Sequence, residues 1–249
     1  LRRLYEGAKG IDMDIGRTPD ELTAMLHATL AANGMETADG VHIRLMVTRG
    51  VKSTPYQDPR FTITPATIVI IPEYKTARAE TLIQGVRLYT VSTRRGRPDV
   101  QDPKWNSHSK LNCISACIQA AQAGADEGLM LDPQGFVATC NSTHFFIVRH
   151  PDGPAGPPEV WTSTGDYCMP GITRRNVLRL CDNDGITARE KNFSLTECYG
   201  ATEAFVTGTF AGIAPVTEID GRTIGTGKRG PMVAALQQRY IELLDEECG

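Results

Sequence analysis

Apolar positions recur along this chain with a period that changes from block to block, and the changes mark out the elements. Leu1, Leu4, Ala8 and Ile11 fall on one face at steps of three and four, which predicts a helix over residues 1–14. Thr18-Pro19-Asp20-Glu21 predicts the start of a second helix: a threonine N-cap, a proline at the first helical position and a glutamate completing a capping box. Leu22, Met25, Leu26 and Leu30 carry it to Gly34. Residues 41–47 alternate and read as a strand, and the unbroken apolar run from Thr67 to Pro72 reads as a strand buried on both faces. Further strands are expected at 86–92, 128–132, 136–139, 145–148, 159–162 and 204–207, with helices at 112–123, 172–185 and 231–245. Residues 94–108, rich in Arg, Pro and Asp, read as a loop. The pattern is α+β, with a small helix–helix–strand–strand unit over residues 1–78 and a larger unit over 79–249.

Composition changes little in this picture. The 249 residues suffice for one large or two small cores, and 41% hydrophobic with 22% charged residues is ordinary for a globular protein. The longest apolar run, Ala66 to Ile71, is too short to cross a bilayer as a helix, so no membrane partner is expected. A net charge of −3 gives no reason to expect a nucleic-acid partner. Seven scattered cysteines without C-x-x-C spacing read as reduced thiols of a cytoplasmic protein and not as a metal site. The numbering begins on Leu1, directly in a helical pattern, so an N-terminal segment is expected to precede it.

Four polar constellations could carry chemistry. Pro170-Gly171-Ile172-Thr173-Arg174 sits where a loop enters a helix. Unpaired first-turn amides there, a glycine that lets an anion approach and a threonine hydroxyl suit a phosphate. Thr207-Gly208-Thr209 ends an apolar strand and offers hydroxyls beside a glycine. Taken singly, an ordinary helix cap and a strand-ending turn are the better explanation of each; taken together they are more informative, because one phosphate needs donors from several elements. Lys104 to Lys110 places two lysines and His108 at a loop-to-helix junction, and a lysine whose pKa is lowered can form a Schiff base. Thr139-Cys140-Asn141-Ser142-Thr143-His144, between two strands, reads either as pocket lining or as a solvent-facing turn.

These motifs, in this order and spacing, resemble the fold-type IV pyridoxal-phosphate enzymes: branched-chain and D-amino-acid aminotransferases, (R)-amine transaminases and aminodeoxychorismate lyase. Residues 1–9 look like the family's helix after its opening hairpin, with Arg3 at the position that meets the cofactor phosphate. Gly171-Ile172-Thr173-Arg174 and Thr207-Gly208-Thr209 match its phosphate loops, residues 124–132 its strand signature, and residues 219–225 the stretch before its last helix. The resemblance implies a two-domain fold whose larger domain has a β-barrel-like sheet and flanking helices. It also implies a homodimer, pyridoxal 5′-phosphate as cofactor, and amino transfer between an amino acid or amine and a 2-oxo acid. Gly171, Ile172, Thr173, Gly208 and Thr209 would join Arg3 on the phosphate. His42 and Arg44 fall where the family lines its substrate pocket, and Phe210 and Ala211 where backbone amides meet the substrate carboxylate.

Two positions depart from the family. Thr139 stands where a glutamate meets the pyridine nitrogen, and a threonine brings no charge, which weakens the ring as an electron sink. Asn106 stands where gap-free counting puts the Schiff-base lysine. Lys110, four residues on and so about one helical turn away, is the expected anchor; Lys104 is the second candidate. The alternatives are a lyase on the same scaffold and a member that no longer transaminates.

Overall fold

The computed structural model describes residues 1–248. They form two compact units, Leu1–Thr76 and a second that begins at Ala77. The first unit contains α1 (Arg2–Gly10), α2 (Pro19–Ala32), β1 (Val41–Thr48), a 3-10 turn (Pro59–Phe61) and β2 (Thr67–Tyr74). The expected capping box is present: the Thr18 hydroxyl accepts from the Glu21 amide at 3.2 Å, and the Glu21 carboxylate accepts from the Thr18 amide at 2.7 Å. Helix α1 ends earlier than its periodicity suggested, where Asp12 takes a left-handed φ of 51°.

Strands β1 and β2 pair antiparallel from Val41↔Tyr74 to Thr48↔Thr67. Here one expectation fails. Strand β2 is not buried on both faces: Val69 and Ile71 are exposed, and Ile68, Ile70 and Pro72 are only partly shielded. An unbroken apolar run signals two-sided burial only where layers cover both faces. This sheet has two strands, and α2 packs against β2.

The second unit runs α3 (Ala79–Gln84), β3 (Val86–Thr90), α4 (Pro98–Gln101), α5 (Leu111–Gln122), β4 (Glu127–Leu131), β5 (Val137–Cys140), β6 (His144–Arg149), β7 (Glu159–Thr162), α6 (Ile172–Asn183), β8 (Thr187–Glu190), α7 (Leu195–Tyr199), β9 (Glu203–Gly208), β10 (Gly212–Ile219), β11 (Arg222–Thr223) and α8 (Pro231–Cys248). Its nine-stranded sheet has the order β5-β4-β3-β10-β9-β6-β7-β8, with β11 on β10. Alternation along β6 and β9 builds a core on each face. Phe145, Ile147, Ala204 and Val206 join one cluster with Phe193 and Leu88; Phe146, Val148 and Phe205 join the other with Val177, Leu180, Val233 and Leu236 of α6 and α8. Phe146 and Phe205 stack across the β6–β9 pair with centroids 4.8 Å apart. Each such ring, fully buried, contributes about 2 kcal/mol of hydrophobic stabilisation. This two-sided packing fixes the strand ends, and the β5–β6, β7–α6 and β9–β10 connections leave the sheet from β-strands held at those ends.

Candidate active site

The β5–β6 connection is a built turn, not a free loop. The Thr139 hydroxyl donates to the Thr143 carbonyl at 2.8 Å, and the Cys140 amide donates to the same oxygen at 2.9 Å. Asn141 exchanges bonds with Gly128: the Gly128 amide donates to Asn141 Oδ1 at 2.6 Å, and the Asn141 amide donates to the Gly128 carbonyl at 3.0 Å. The buried Glu127 carboxylate accepts from the Ser142 amide at 2.7 Å, the Ser142 hydroxyl at 2.6 Å and the Thr143 hydroxyl at 2.7 Å. Three donors converging on one buried carboxylate lock the turn onto β4. In the sequence Glu127 appears only as one residue of the 124–132 strand signature, and nothing there gives it this role.

His144 joins the two anion motifs. Its Nε2 stands 2.6 Å from the Met169 carbonyl, which can only accept, so Nε2 carries the proton. The Gly171 amide donates to that same carbonyl at 2.8 Å. Gly171 is the N-cap of α6, and among the described residues no side chain caps this helix. A Cβ at Gly171 would stand 2.3 Å from the His144 ring, so only glycine fits above it. On the other side, His144 pairs with Thr207 across β6 and β9. Thr207 is fully buried, and its hydroxyl has no hydrogen-bond partner among the described residues. Gly208 follows against the Thr143 methyl group, which a Cβ would meet at 3.4 Å. The structure therefore brings Gly171 and Thr207-Gly208 together around His144.

The hydroxyl of Thr173 points elsewhere than its motif suggested. It is buried 3.5 Å from the Tyr240 hydroxyl of α8, so what Thr173 presents at the helix start is its amide. Ile172, Thr209 and Phe210 are exposed, and Ala211 is partly buried.

A cleft of about 470 Å³ opens beside the turn, lined among others by Arg95, Asn106, Lys110, Thr139, Thr143 and His144. Lys110 Nζ donates to Asn106 Oδ1 at 3.1 Å. The expected pairing through one helical turn is corrected here: α5 begins only at Leu111, and Lys110 is its N-cap, so the two side chains meet across an irregular loop. Pro103 and Trp105 line the cleft but Lys104 between them does not. Arg95, which the sequence did not single out, donates to the Tyr167 carbonyl at 3.0 Å and to the Cys113 sulfur at 3.1 Å, tying the β7–α6 loop to α5. In the first unit, Arg3 lies half-buried on α1. His42 and Arg44 are two residues apart and so share one face of β1, with His42 Nδ1 3.3 Å from the Glu73 carboxylate and Arg44 exposed.

The sequence model of the amino-transferase class IV family matches residues 1–219. Branched-chain-amino-acid aminotransferase-like protein 2 of Arabidopsis thaliana is 37% identical over 245 residues, which are 98% of this chain and 42% of that protein. This chain thus spans about two fifths of the plant relative's length. A putative branched-chain-amino-acid aminotransferase of Methanocaldococcus jannaschii is 37% identical over 98% of this chain and 80% of its own length. Among solved structures, the T.th. branched-chain amino acid aminotransferase with pyridoxamine 5′-phosphate superposes with a TM-score of 0.87 at 30% identity, covering 97% of this chain and 76% of that one.

Proposed function

This chain belongs to the amino-transferase class IV family, and from that premise we propose that it is a pyridoxal-5′-phosphate-dependent aminotransferase. Its substrates are an amino acid or amine as donor and a 2-oxo acid as acceptor. The observation that carries this reading is Lys110, whose Nζ lies 3.1 Å from Asn106 Oδ1 in the cleft that also holds Thr139. The lysine is displaced along the chain from the family position, yet it meets the residue that stands there.

The residues fit the cofactor. An α6 start without a side-chain cap suits a phosphate, and the buried Thr207 hydroxyl is an unspent polar group on the strand residue paired with His144, whose ring lies against Gly171. We assign the amides of Ile172 and Thr173 and the Thr209 side chain to the phosphate, with Gly171 and Gly208 keeping the backbone approachable. Arg3 on the phosphate, and His42 and Arg44 on the substrate, belong to the first unit and rest on the family resemblance alone. Phe210 and Ala211 offer amides to the substrate carboxylate.

When bound, pyridoxal 5′-phosphate supplies an aldehyde carbon and an electron-withdrawing ring. Lys110 would hold the cofactor at its aldehyde carbon and would serve as the group that moves the proton at the substrate Cα. Asn106 accepts a hydrogen bond from its Nζ and so orients the amine without adding charge. Thr139 is assigned to the ring nitrogen. Its proton is already given to the Thr143 carbonyl, so it presents lone pairs and no charge. That neutrality favours one second reading, a lyase or non-transaminating member on the same scaffold, which an amino-donor screen separates from transamination. We further place the protein in the cytoplasm as a homodimer; its six described cysteines are free thiols, in line with a reducing compartment. No described helix is long and apolar enough to cross a membrane.

The test is borohydride trapping of the protein incubated with cofactor, followed by peptide mapping. Label on Lys110 is the expected result. Label on Lys104 or another lysine overturns the anchor, and a protein that takes up no cofactor overturns the whole reading.

A further inference from the structure

We propose that His144 is a positioning residue for the phosphate: by holding the Met169 carbonyl, it fixes the Met169-Pro170-Gly171 turn and so aims the amides of Ile172 and Thr173. This rests on the cofactor reading above and goes beyond it, since His144 itself need not touch the ligand.

The geometry runs from the sheet to the helix. His144 is 7% exposed and is held in β6 by pairing with Thr207 of β9, so its backbone is part of the rigid core. Its ring reaches out of the sheet to the Met169 carbonyl at 2.6 Å. That carbonyl also accepts the Gly171 amide at 2.8 Å, closing a three-residue turn. A single i→i+2 bond is weak support for the entry to a helix. Here it is braced twice: the carbonyl is tethered to the sheet through Nε2–H, and the ring packs so closely under Gly171 that a Cβ has no room. The next amides, those of Ile172 and Thr173, open α6, where no side chain among the described residues caps them. Helix-start amides bind an anion well when their direction is fixed before the anion arrives, because ordering the turn on binding subtracts from affinity. His144 therefore does for the turn what a side-chain cap does for an ordinary helix, while leaving the amides vacant for phosphate.

The donor and the ring volume are separable. Glutamine Nε2 lies as many bonds from Cβ as histidine Nε2, so His144→Gln keeps a donor for Met169. His144→Phe keeps a ring and removes the donor. The probes are pyridoxal 5′-phosphate and pyridoxal, which lacks the phosphate, titrated into each protein by absorbance and tryptophan fluorescence. Loss of one positioning hydrogen bond predicts about ten-fold weaker binding of pyridoxal 5′-phosphate by His144→Phe. Pyridoxal affinity should not change, and His144→Gln should recover most of the loss. If His144→Phe does not fold, His144→Asn takes its place, with a donor too short to reach Met169 and the same expected pattern. Equal affinity of wild type and variant for pyridoxal 5′-phosphate overturns the inference and leaves the cofactor reading standing. Parallel loss for both probes also overturns it, since that assigns His144 to the ring or to the fold. A wild-type protein that binds neither probe overturns the cofactor reading itself.

Discussion

Alanine at position 171 isolates the contact on which the proposed phosphate site depends. The backbone of Gly171 has φ −65° and ψ 136°, a conformation any residue adopts, so a substitution there costs nothing in backbone strain. All of the cost lies in space. The new Cβ would stand 2.3 Å from His144 Cε1, 2.7 Å from Nδ1 and 3.1 Å from Nε2. Non-bonded carbons rest at about 3.5 Å or more, so the ring must withdraw by about 1.2 Å. It cannot do so and keep its 2.6 Å bond to the Met169 carbonyl. Losing that bond costs about 1 kcal/mol, and repacking the ring costs about 1–3 kcal/mol more, so Gly171→Ala should destabilise the protein by about 2–4 kcal/mol. Urea unfolding at constant m-value measures it. The control is the same substitution in a His144→Ala background, where the obstructing ring is gone and the added methyl should cost less than about 0.5 kcal/mol. Equal costs in the two backgrounds would falsify the claim that His144 is what excludes a side chain at 171.

Three further outcomes follow from other parts of the molecule. Lys110→Ala should abolish both the visible colour of the cofactor-loaded protein and its amino transfer, whereas Lys104→Ala should leave both; absorbance and a coupled transamination assay decide. Glu127→Ala strands the Ser142 amide and the Ser142 and Thr143 hydroxyls and should cost about 2–4 kcal/mol in urea unfolding, while Glu127→Gln, which keeps an acceptor, should cost less; equal costs refute the role given to the carboxylate. Burial first, and then the hydrogen bond to Asp220, push the Tyr199 phenol up to about 12 from an ordinary 10.0. The unfolded chain therefore loses this proton before the folded one does. The stabilisation is complete below pH 10.0 and disappears as pH climbs to about 12, a fall that Tyr199→Phe should lack when unfolding is followed across that window.

Much of the fold was legible because local chemistry and tertiary packing agree. The Thr18–Glu21 box and the existence of strand β1 are each decided by neighbours in sequence, and the structure keeps them, though burial along β1 does not alternate residue by residue. Strand β10 was not legible. It lies at the centre of the sheet between β3 and β9, yet Pro215 sits in its middle and reads as a strand breaker. Burial of Ile213, Ala214 and Val216 outweighs the donor that Pro215 cannot supply. The opposite error occurred at β2, where the run from Thr67 to Pro72 suggested burial on both faces and the two-stranded sheet leaves Val69 and Ile71 exposed. Hydrophobicity sets how much a strand would gain from cover; which layers exist to cover it is decided by the rest of the chain.

The site divides along the same line. Gly171 and the Thr207-Gly208 pair were visible as separate weak signals because each is a glycine at the end of an element. Nothing in the spacing of residues 144 and 171 shows that a histidine ring fills the space a side chain at 171 would take. Thr173 illustrates the difference in the other sense. A hydroxyl in the first helical turn suggests a donor to an anion, but here that hydroxyl is buried beside Tyr240, from a helix that begins 58 residues later in sequence at Pro231. What the helix start retains is its amides, which every helix possesses. On the proposed reading, the specificity of the site comes from what holds those amides in place, and His144, Met169 and Gly171 are the residues whose contacts would do so. An anion site assembled this way is sensitive to substitutions that never meet the ligand, which is why the phosphate-dependent part of cofactor affinity, and not the rate of amino transfer, is the quantity that reports on it.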